Sequence, residues 1–301
     1  MSTAQALVVG ESLIDVVHGA AGIASRTAGA ASLNIATALA RLVPGASVSF
    51  LTDLGTDADG ALLRRRLEAA GVTVLAEPRG VSSLAHPRLD RTGSAEYVFE
   101  LRWEPQVSAV PERPWQALHV GSIGAFLAPG SRAVDALLRW VAEAGTVRSF
   151  DPNIRPALLP DHAAALGRFE ALARQSDVVK LSDADAAWLY PHDGDPGSTL
   201  DRLLAMGPGL VVLTRGAEGS TLRTPALSVD IAAAEVEVAD TIGAGDSFMA
   251  VLIAELLKRG VTRGRVARLE RDDLEAIGAE AARIAGIVVS RVGAGIPDSA
   301  L

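Results

Sequence analysis

Short apolar runs recur along this chain with helical patterns between them, and that alternation restricts the fold more than any other feature. Ala6-Leu-Val-Val-Gly10 is a continuous apolar run closed by glycine, the pattern of a strand covered on both faces. Similar runs stand at 48–51, 117–120, 147–150, 178–181 and 210–213. Helical periodicity fills the intervals, over 33–42, 60–70, 132–144, 162–174, 183–189 and 198–205. Strands alternating with helices predict parallel βαβ units, hence an α/β sandwich around a mainly parallel sheet. Towards the carboxyl end the pattern changes, and 245–259 and 272–290 read as two long helices with no strand between them. Val81–Trp103 also breaks the repeat, with a polar turn at Asp90–Gly93 followed by an alternating segment up to Trp103. This is a hairpin signature, with Ser12–Val17 as a further strand candidate. It is predicted to project from the main sheet, as a small β-strand lid, a surface hairpin or a dimer contact.

The 301 residues are enough to bury a core without a metal or disulfide staple. The chain has no cysteine, which excludes a disulfide scaffold, a thiolate zinc site, an iron–sulfur cluster and a thiol nucleophile. A net charge of -8 argues against a broad nucleic-acid surface, although a small basic pocket for an anion remains open. No secretory pattern opens the sequence and no uncharged apolar run has the length of a membrane span, so a cytoplasmic protein is expected. The five histidines lack zinc-site spacing, and there is no P-loop motif, no Gly-x-Gly-x-x-Gly after the first strand and no Gly-x-Ser-x-Gly elbow.

The sharpest motif is Asp240-Thr-Ile-Gly-Ala-Gly-Asp-Ser-Phe248, which opens a predicted helix. Glycines at a helix start free backbone N–H groups, and these together with the helix dipole favour an anion. An acid beside such a turn can take a proton from an attacking hydroxyl. An ordinary N-cap, with Asp246 in the capping position, would look the same.

The segment 241–248 resembles the carboxyl-terminal signature of the PfkB sugar kinases, the ribokinase-like family. Other segments match in order. Gly10-Glu-Ser-Leu-Ile-Asp15 resembles the family's first strand and sugar-binding aspartate, and Gly29-Ala-Ala-Ser-Leu-Asn34 its Gly-Gly-x-x-x-Asn sugar motif. Asp53-Leu-Gly-Thr-Asp57 with Gly60 resembles the Gly-x-Asp-x-x-Gly turn. Asp151-Pro-Asn-Ile-Arg-Pro156 is similar to bacterial fructokinases and 2-keto-3-deoxygluconate kinases. Thr214-Arg-Gly-Ala-Glu-Gly219 resembles the nucleotide loop, and Ser290–Ala294 with Pro297 the segment beside the adenine pocket.

The resemblance implies a ribokinase-like α/β/α sandwich forming one domain over 1–301, with lid segments at about 12–28 and 81–105. It implies a kinase that uses ATP and Mg2+, and in some members K+, to phosphorylate a primary hydroxyl of a small sugar, fructose first. Kinases of 2-keto-3-deoxygluconate, other sugars or nucleosides, and a non-catalytic sugar- or nucleotide-binding protein, are the alternatives. By resemblance Asp246 is the general base and Gly243, Ala244 and Gly245 form the anion hole. Asp15, Gly29, Ala30 and Asn34 meet the sugar, while Arg102, Asn153 and Arg155 face the substrate or the phosphate path. Lys180, Ser182, Thr214, Arg215, Gly216, Glu218 and Gly219 fall to the nucleotide. Asp185 falls to magnesium, and Asp240 with the carbonyl of Ile242 to a monovalent cation. A homodimer through the lid is also implied, with no nucleic acid or membrane partner. Two positions depart from the family pattern. Ala30 replaces the second glycine of the pair, and Ser182-Asp-Ala-Asp185 stands where the family has Asn-x-x-Glu.

Overall fold

The computed structural model describes residues 4–19, 22–89, 95–193 and 195–301. Along the chain the elements are β1 (Gln5–Val9), β2 (Leu13–Gly19), β3 (Gly22–Gly29), α1 (Ala31–Leu42), β4 (Ser47–Leu51), α2 (Ala58–Ala69) and β5 (Thr73–Leu75). They continue with β6 (Ser83–Leu89), β7 (Ala95–Glu100), β8 (Ala117–Gly121), α3 (Ser131–Trp140), β9 (Val147–Asp151), α4 (His162–Ala173), β10 (Val178–Ser182) and α5 (Asp183–Leu189). The last are α6 (Pro196–Met206), β11 (Leu210–Thr214), β12 (Ser220–Arg223), β13 (Ser228–Ile231), α7 (Ala244–Lys258) and α8 (Arg271–Val289).

The main sheet has nine strands in the order β13-β12-β11-β10-β9-β8-β1-β4-β5. Pairing is parallel from β11 through β5 and antiparallel at β11–β12 and β12–β13. The period-2 alternation of each strand sends successive side chains to opposite faces. Ala6 and Val8 of β1 join a core with α1, α2, α7 and α8, whereas Leu7 and Val9 join one with α3, α4, α5 and α6. Both faces are therefore covered, as the unbroken apolar runs require.

The six predicted parallel strands and eight helices are all present, with ends shifted by a few residues at most helix termini. Local chemistry accounts for several of the boundaries. Asp57, Asp161 and Asp195 each accept a hydrogen bond from a backbone N–H of the helix they precede, and Pro196 occupies the first turn of α6. Two helix starts place site residues inside the helix and not at its cap. The cap of α7 is Gly243, with φ of 82°, so Asp246 lies inside the first turn and is not the N-cap. The cap of α1 is Ala30, with φ of 93°, which places Asn34 in the first turn as well.

Sequence patterning missed β3, β5, β12 and β13. The predicted hairpin is β6–β7, and its Asp90–Gly93 turn lies outside the described residues. The strand candidate at 12–17 is β2. These strands form a second sheet in the order β3-β2-β6-β7, with β2–β6 parallel and the other pairs antiparallel. Its inner side chains Ile14, Val16 and Ala28 join the core that holds α2, with Leu84 packed against it. Among the described residues, no helix is long and apolar enough to cross a membrane.

Candidate active site

In an open parallel α/β sheet, ligands bind beyond the carboxyl ends of the strands. Here that edge carries Glu11 after β1, Ser122 after β8, Asp151–Arg155 at β9, Ser182–Asp185 at β10 and Thr214–Gly219 at β11. The first turns of α1 and α7 meet at the same end of the sheet.

Asn34 Nδ2 donates a hydrogen bond to Asp246 Oδ2 at 2.8 Å, joining residues 212 positions apart. Asn34 is 6% exposed, and its buried Oδ1 has no hydrogen-bond partner among the described residues. Burial pushes the Asp246 carboxyl above the usual aspartate range, although the Asn34 bond and the charges of Lys180 and Arg155 pull it back. Burial also raises Asp15, which Arg155 opposes. Asp15, Asp246 and Arg155 therefore share one electrostatic neighbourhood. Gly29 closes against Asp15, because a Cβ there would stand 2.4 Å from Asp15 Oδ2. Next to it, Ala30 holds a positive φ that L-residues rarely adopt.

At the start of α7 the first intrahelical bond runs from Ser247 N to Gly243 O. The N–H groups before it have no carbonyl one turn back and point out of the helix end. Ala244 N makes only a long 3.4 Å contact with Thr241 O. Gly243 is packed against Ala294, so the turn rests on the chain's last segment. Asp240 fixes that arrangement, accepting Ile242 N with Oδ1 and Gly293 N with Oδ2, both at 3.0 Å. The two members of the expected cation site thus lie together, bound through a backbone hydrogen bond.

Beneath the turn lies a buried ion pair. Lys180 Nζ donates to Asp151 Oδ2 at 2.7 Å, with side chains 4% and 6% exposed. Burial drives Asp151 up to about 6 despite Lys180, helped by Asp185 and Asp246. Burial works to lower Lys180, but Asp151, Asp185 and Asp246 together raise it, so it stays an ammonium ion. Neighbouring His119 is held neutral, pushed down to about 3 by burial and by Lys180, with Nδ1 at 3.0 Å from Ser149 Oγ. Asp151 was only part of a motif at the level of sequence. The missed signal was a lysine inside the otherwise apolar run Val178–Leu181.

Other expected site residues are held differently. Ser182 and Asp185 form a reciprocal capping box on α5, and Asp185 Oδ1 also accepts Ile154 N at 2.8 Å. Both Asp185 oxygens are thus engaged, by Ile154 N and by Ser182 N and Oγ. Among the described residues no group of three His, Cys, Asp or Glu side chains is placed to hold a metal. A divalent ion fits this donor set only when substrate phosphates supply most of its ligands. The clamp on Ile154 instead shapes the loop carrying Asn153, at φ of 41°, and the exposed Arg155. Arg102 binds Asp53 Oδ1 at 3.0 Å and the carbonyl of Arg79, so in this state it is tied to the β4 loop. Arg215 turns to Thr221 and Asp230. Gly216 and Glu218 lie in the exposed turn after Thr214, closed by a hydrogen bond from Arg215 N to Gly219 O. Glu11 was quoted without a role; it is buried and accepts Gly124 N at 2.8 Å, tying β1 to the turn after β8.

Residues 4–301 match the model of the pfkB family carbohydrate kinases. A fructokinase of Rhizobium leguminosarum bv. trifolii is 35% identical over 283 residues, covering 89% of this chain and 85% of that protein. A fructokinase of Salmonella typhimurium is 29% identical, covering 86% of each. Among solved structures, a Xylella fastidiosa fructokinase with bound ATP superposes with a TM-score of 0.87 at 24% identity, covering 99% of this chain and 94% of that one. An aminoimidazole riboside kinase of Salmonella enterica superposes at 0.80 with 23% identity, covering 98% of each.

Proposed function

The chain belongs to the pfkB family of carbohydrate kinases, and from that premise we propose that it transfers the γ-phosphoryl group of ATP to a primary hydroxyl of fructose, with Asp246 as general base. That it is a carbohydrate kinase, a phosphotransferase with an alcohol acceptor, follows from the family. Fructose and the residue roles are the proposal. The observation that carries it is the Asn34–Asp246 hydrogen bond. It holds a carboxylate of raised proton affinity in the first turn of α7, beside N–H groups that lack intrahelical partners.

In the proposed step the sugar hydroxyl oxygen attacks the γ-phosphorus. The new O–P bond forms as the bond to the bridging oxygen of ADP breaks, and the hydroxyl proton passes to Asp246. Phosphoryl transfer needs positioning and charge stabilisation more than covalent help from the protein. The Gly243–Gly245 turn supplies N–H donors to the moving charge. Asp15 and the free Oδ1 of Asn34 accept sugar hydroxyls. Arg155 offsets the negative charge of the three facing carboxyls, Glu11, Asp15 and Asp246. ATP extends towards Thr214–Gly219 and brings with it Mg2+, which neutralises phosphate charge. Asp240 and the Ile242 carbonyl are assigned to a monovalent cation that shores up the turn from outside. The small sheet acts as the lid of a single unit spanning 1–301, and pairs two copies near the exposed Val81 and Val98.

The fructokinase names of the relatives favour fructose. The test is ADP release over a panel of fructose, ribose, 2-keto-3-deoxygluconate and nucleosides, with Mg2+ present and K+ varied. Highest kcat/KM on fructose is expected. Preference for the sugar acid would instead assign Arg155 to its carboxylate, and preference for a nucleoside would overturn the sugar assignment.

A further inference from the structure

A buried ion pair is a poor way to stabilise a fold. The desolvation of two charges offsets most of their attraction, and apolar replacements of similar volume are often as stable or more so. Lys180 and Asp151 nevertheless sit fully inside, on adjacent strands β10 and β9, facing α7. Their location offers another reason for the pair. A Cβ on Gly245 would stand 3.3 Å from Lys180 Nζ, so the ammonium group lies directly against the first turn of α7. Helix N-termini already carry a partial positive charge and normally attract acids. A buried cation there is the reverse of the usual arrangement, and it concentrates positive charge at one turn. Such a turn is completed by an anion. Among the described residues Nζ donates one hydrogen bond, to Asp151. The contact with Gly245 also explains a small residue at that position, since any side chain would press on the ammonium group.

We infer that Lys180, held by Asp151, is a positioning residue that charges the Gly243–Gly245 turn from behind and so stabilises the transferring phosphoryl group. This rests on the phosphoryl-transfer reading of the same site. Lys180 is then not a nucleotide ligand in its own right. It acts through the turn, and its effect is largest when negative charge on the phosphoryl oxygens is greatest. Asp151 holds the ammonium group in register and keeps the resting site from carrying an unpaired buried charge.

The experiment compares the parent with Lys180→Met/Asp151→Asn, which removes both charges at nearly constant shape, and with Asp151→Asn alone, which keeps the ammonium group. The double variant should melt at or above the parent temperature. Its kcat should fall by about 100-fold or more, the size of losing one oxyanion donor, with both KM values within about threefold. Asp151→Asn, which loses the group that holds the ammonium in register, should have a kcat between those of the parent and the double variant. A second readout is independent of which sugar is correct. ADP with aluminium fluoride, a mimic of the transferring phosphoryl group, should bind the double variant about 100-fold more weakly, while ADP alone binds within about threefold. A double variant that turns over near the parent rate, or binds the mimic as the parent does, overturns the inference. If the parent turns over no sugar, the sugar-kinase assignment falls and the mimic still decides the role of Lys180.

Discussion

Gly29→Ala separates the fold from the site with a single methyl group. The added Cβ would lie 2.4 Å from Asp15 Oδ2, whereas ordinary contact begins at 3.4 Å, so the carboxylate must retreat by about 1 Å. The obstructing atom is the free end of a side chain, and Gly29 does not hold a positive φ, so the backbone accepts alanine. Two effects on stability oppose each other. Restricting the unfolded chain contributes about 0.4–1 kcal/mol, and an off-rotamer Asp15 costs about 0.5–1.5 kcal/mol. The melting temperature should therefore barely change. Sugar binding should not be spared. A hydrogen bond to a charged group contributes about 1.5–3 kcal/mol, so losing one from Asp15 should raise KM for the sugar about 10- to 150-fold. Steady-state ADP release against fructose concentration, with calorimetry alongside, measures both quantities. If the effect runs through Asp15, Gly29→Ala should add little to Asp15→Ala in a double-mutant cycle. An unchanged KM in a folded Gly29→Ala protein would remove Asp15 from the sugar site.

Four further outcomes are expected. Asp246→Asn should abolish turnover and leave sugar binding by calorimetry largely intact. In the parent, kcat/KM should fall on the acid side at a pH above the range of a free aspartate, because burial raises Asp246 and only its ionised form accepts the proton; an acid limb at the free-aspartate value would contradict the base assignment. Ala30→Gly should release the strain of φ 93°, raising stability by about 1 kcal/mol after the entropy loss of glycine; thermal unfolding with an unchanged or lower midpoint would argue against strain there. Asp177→Ala should destabilise by about 3–5 kcal/mol, since Asp177 binds Arg148 through three hydrogen bonds and Arg263 through one, and Arg148 is buried. A loss below about 1 kcal/mol in denaturant titration would show that Arg148 finds another partner.

The parallel strands and the helices were legible because their apolar periodicity is a direct record of which faces are covered. The strands that were missed carry no such record. Gly22–Gly29 is a run of small and polar residues that becomes β3 only because β2 lies beside it, with Leu13 opposite Gly29 and Asp15 opposite Thr27. Ser220–Arg223 and Ser228–Ile231 are four-residue strands on the antiparallel edge of the main sheet, too short for a periodic signal. Asp185 has partners that its sequence context does not reveal. A serine three residues earlier and a loop N–H 31 residues away engage both of its oxygens.

By itself the amino-acid sequence determined the layered α/β architecture, the start of a helix at a Gly-Ala-Gly turn and the kinase family, since each is written in local periodicity or in contiguous motifs. The tertiary structure alone decided how the charges are arranged. Asn34 meets Asp246 across 212 residues, and Lys180 meets Asp151 across 29 and then Gly245 on α7. Burial at that junction, a property of packing and not of any segment, raises the Asp246 and Asp151 carboxyls and holds His119 neutral. Electrostatic energy depends on distance and on exclusion of water, and both are defined only once the strands and helices have come together.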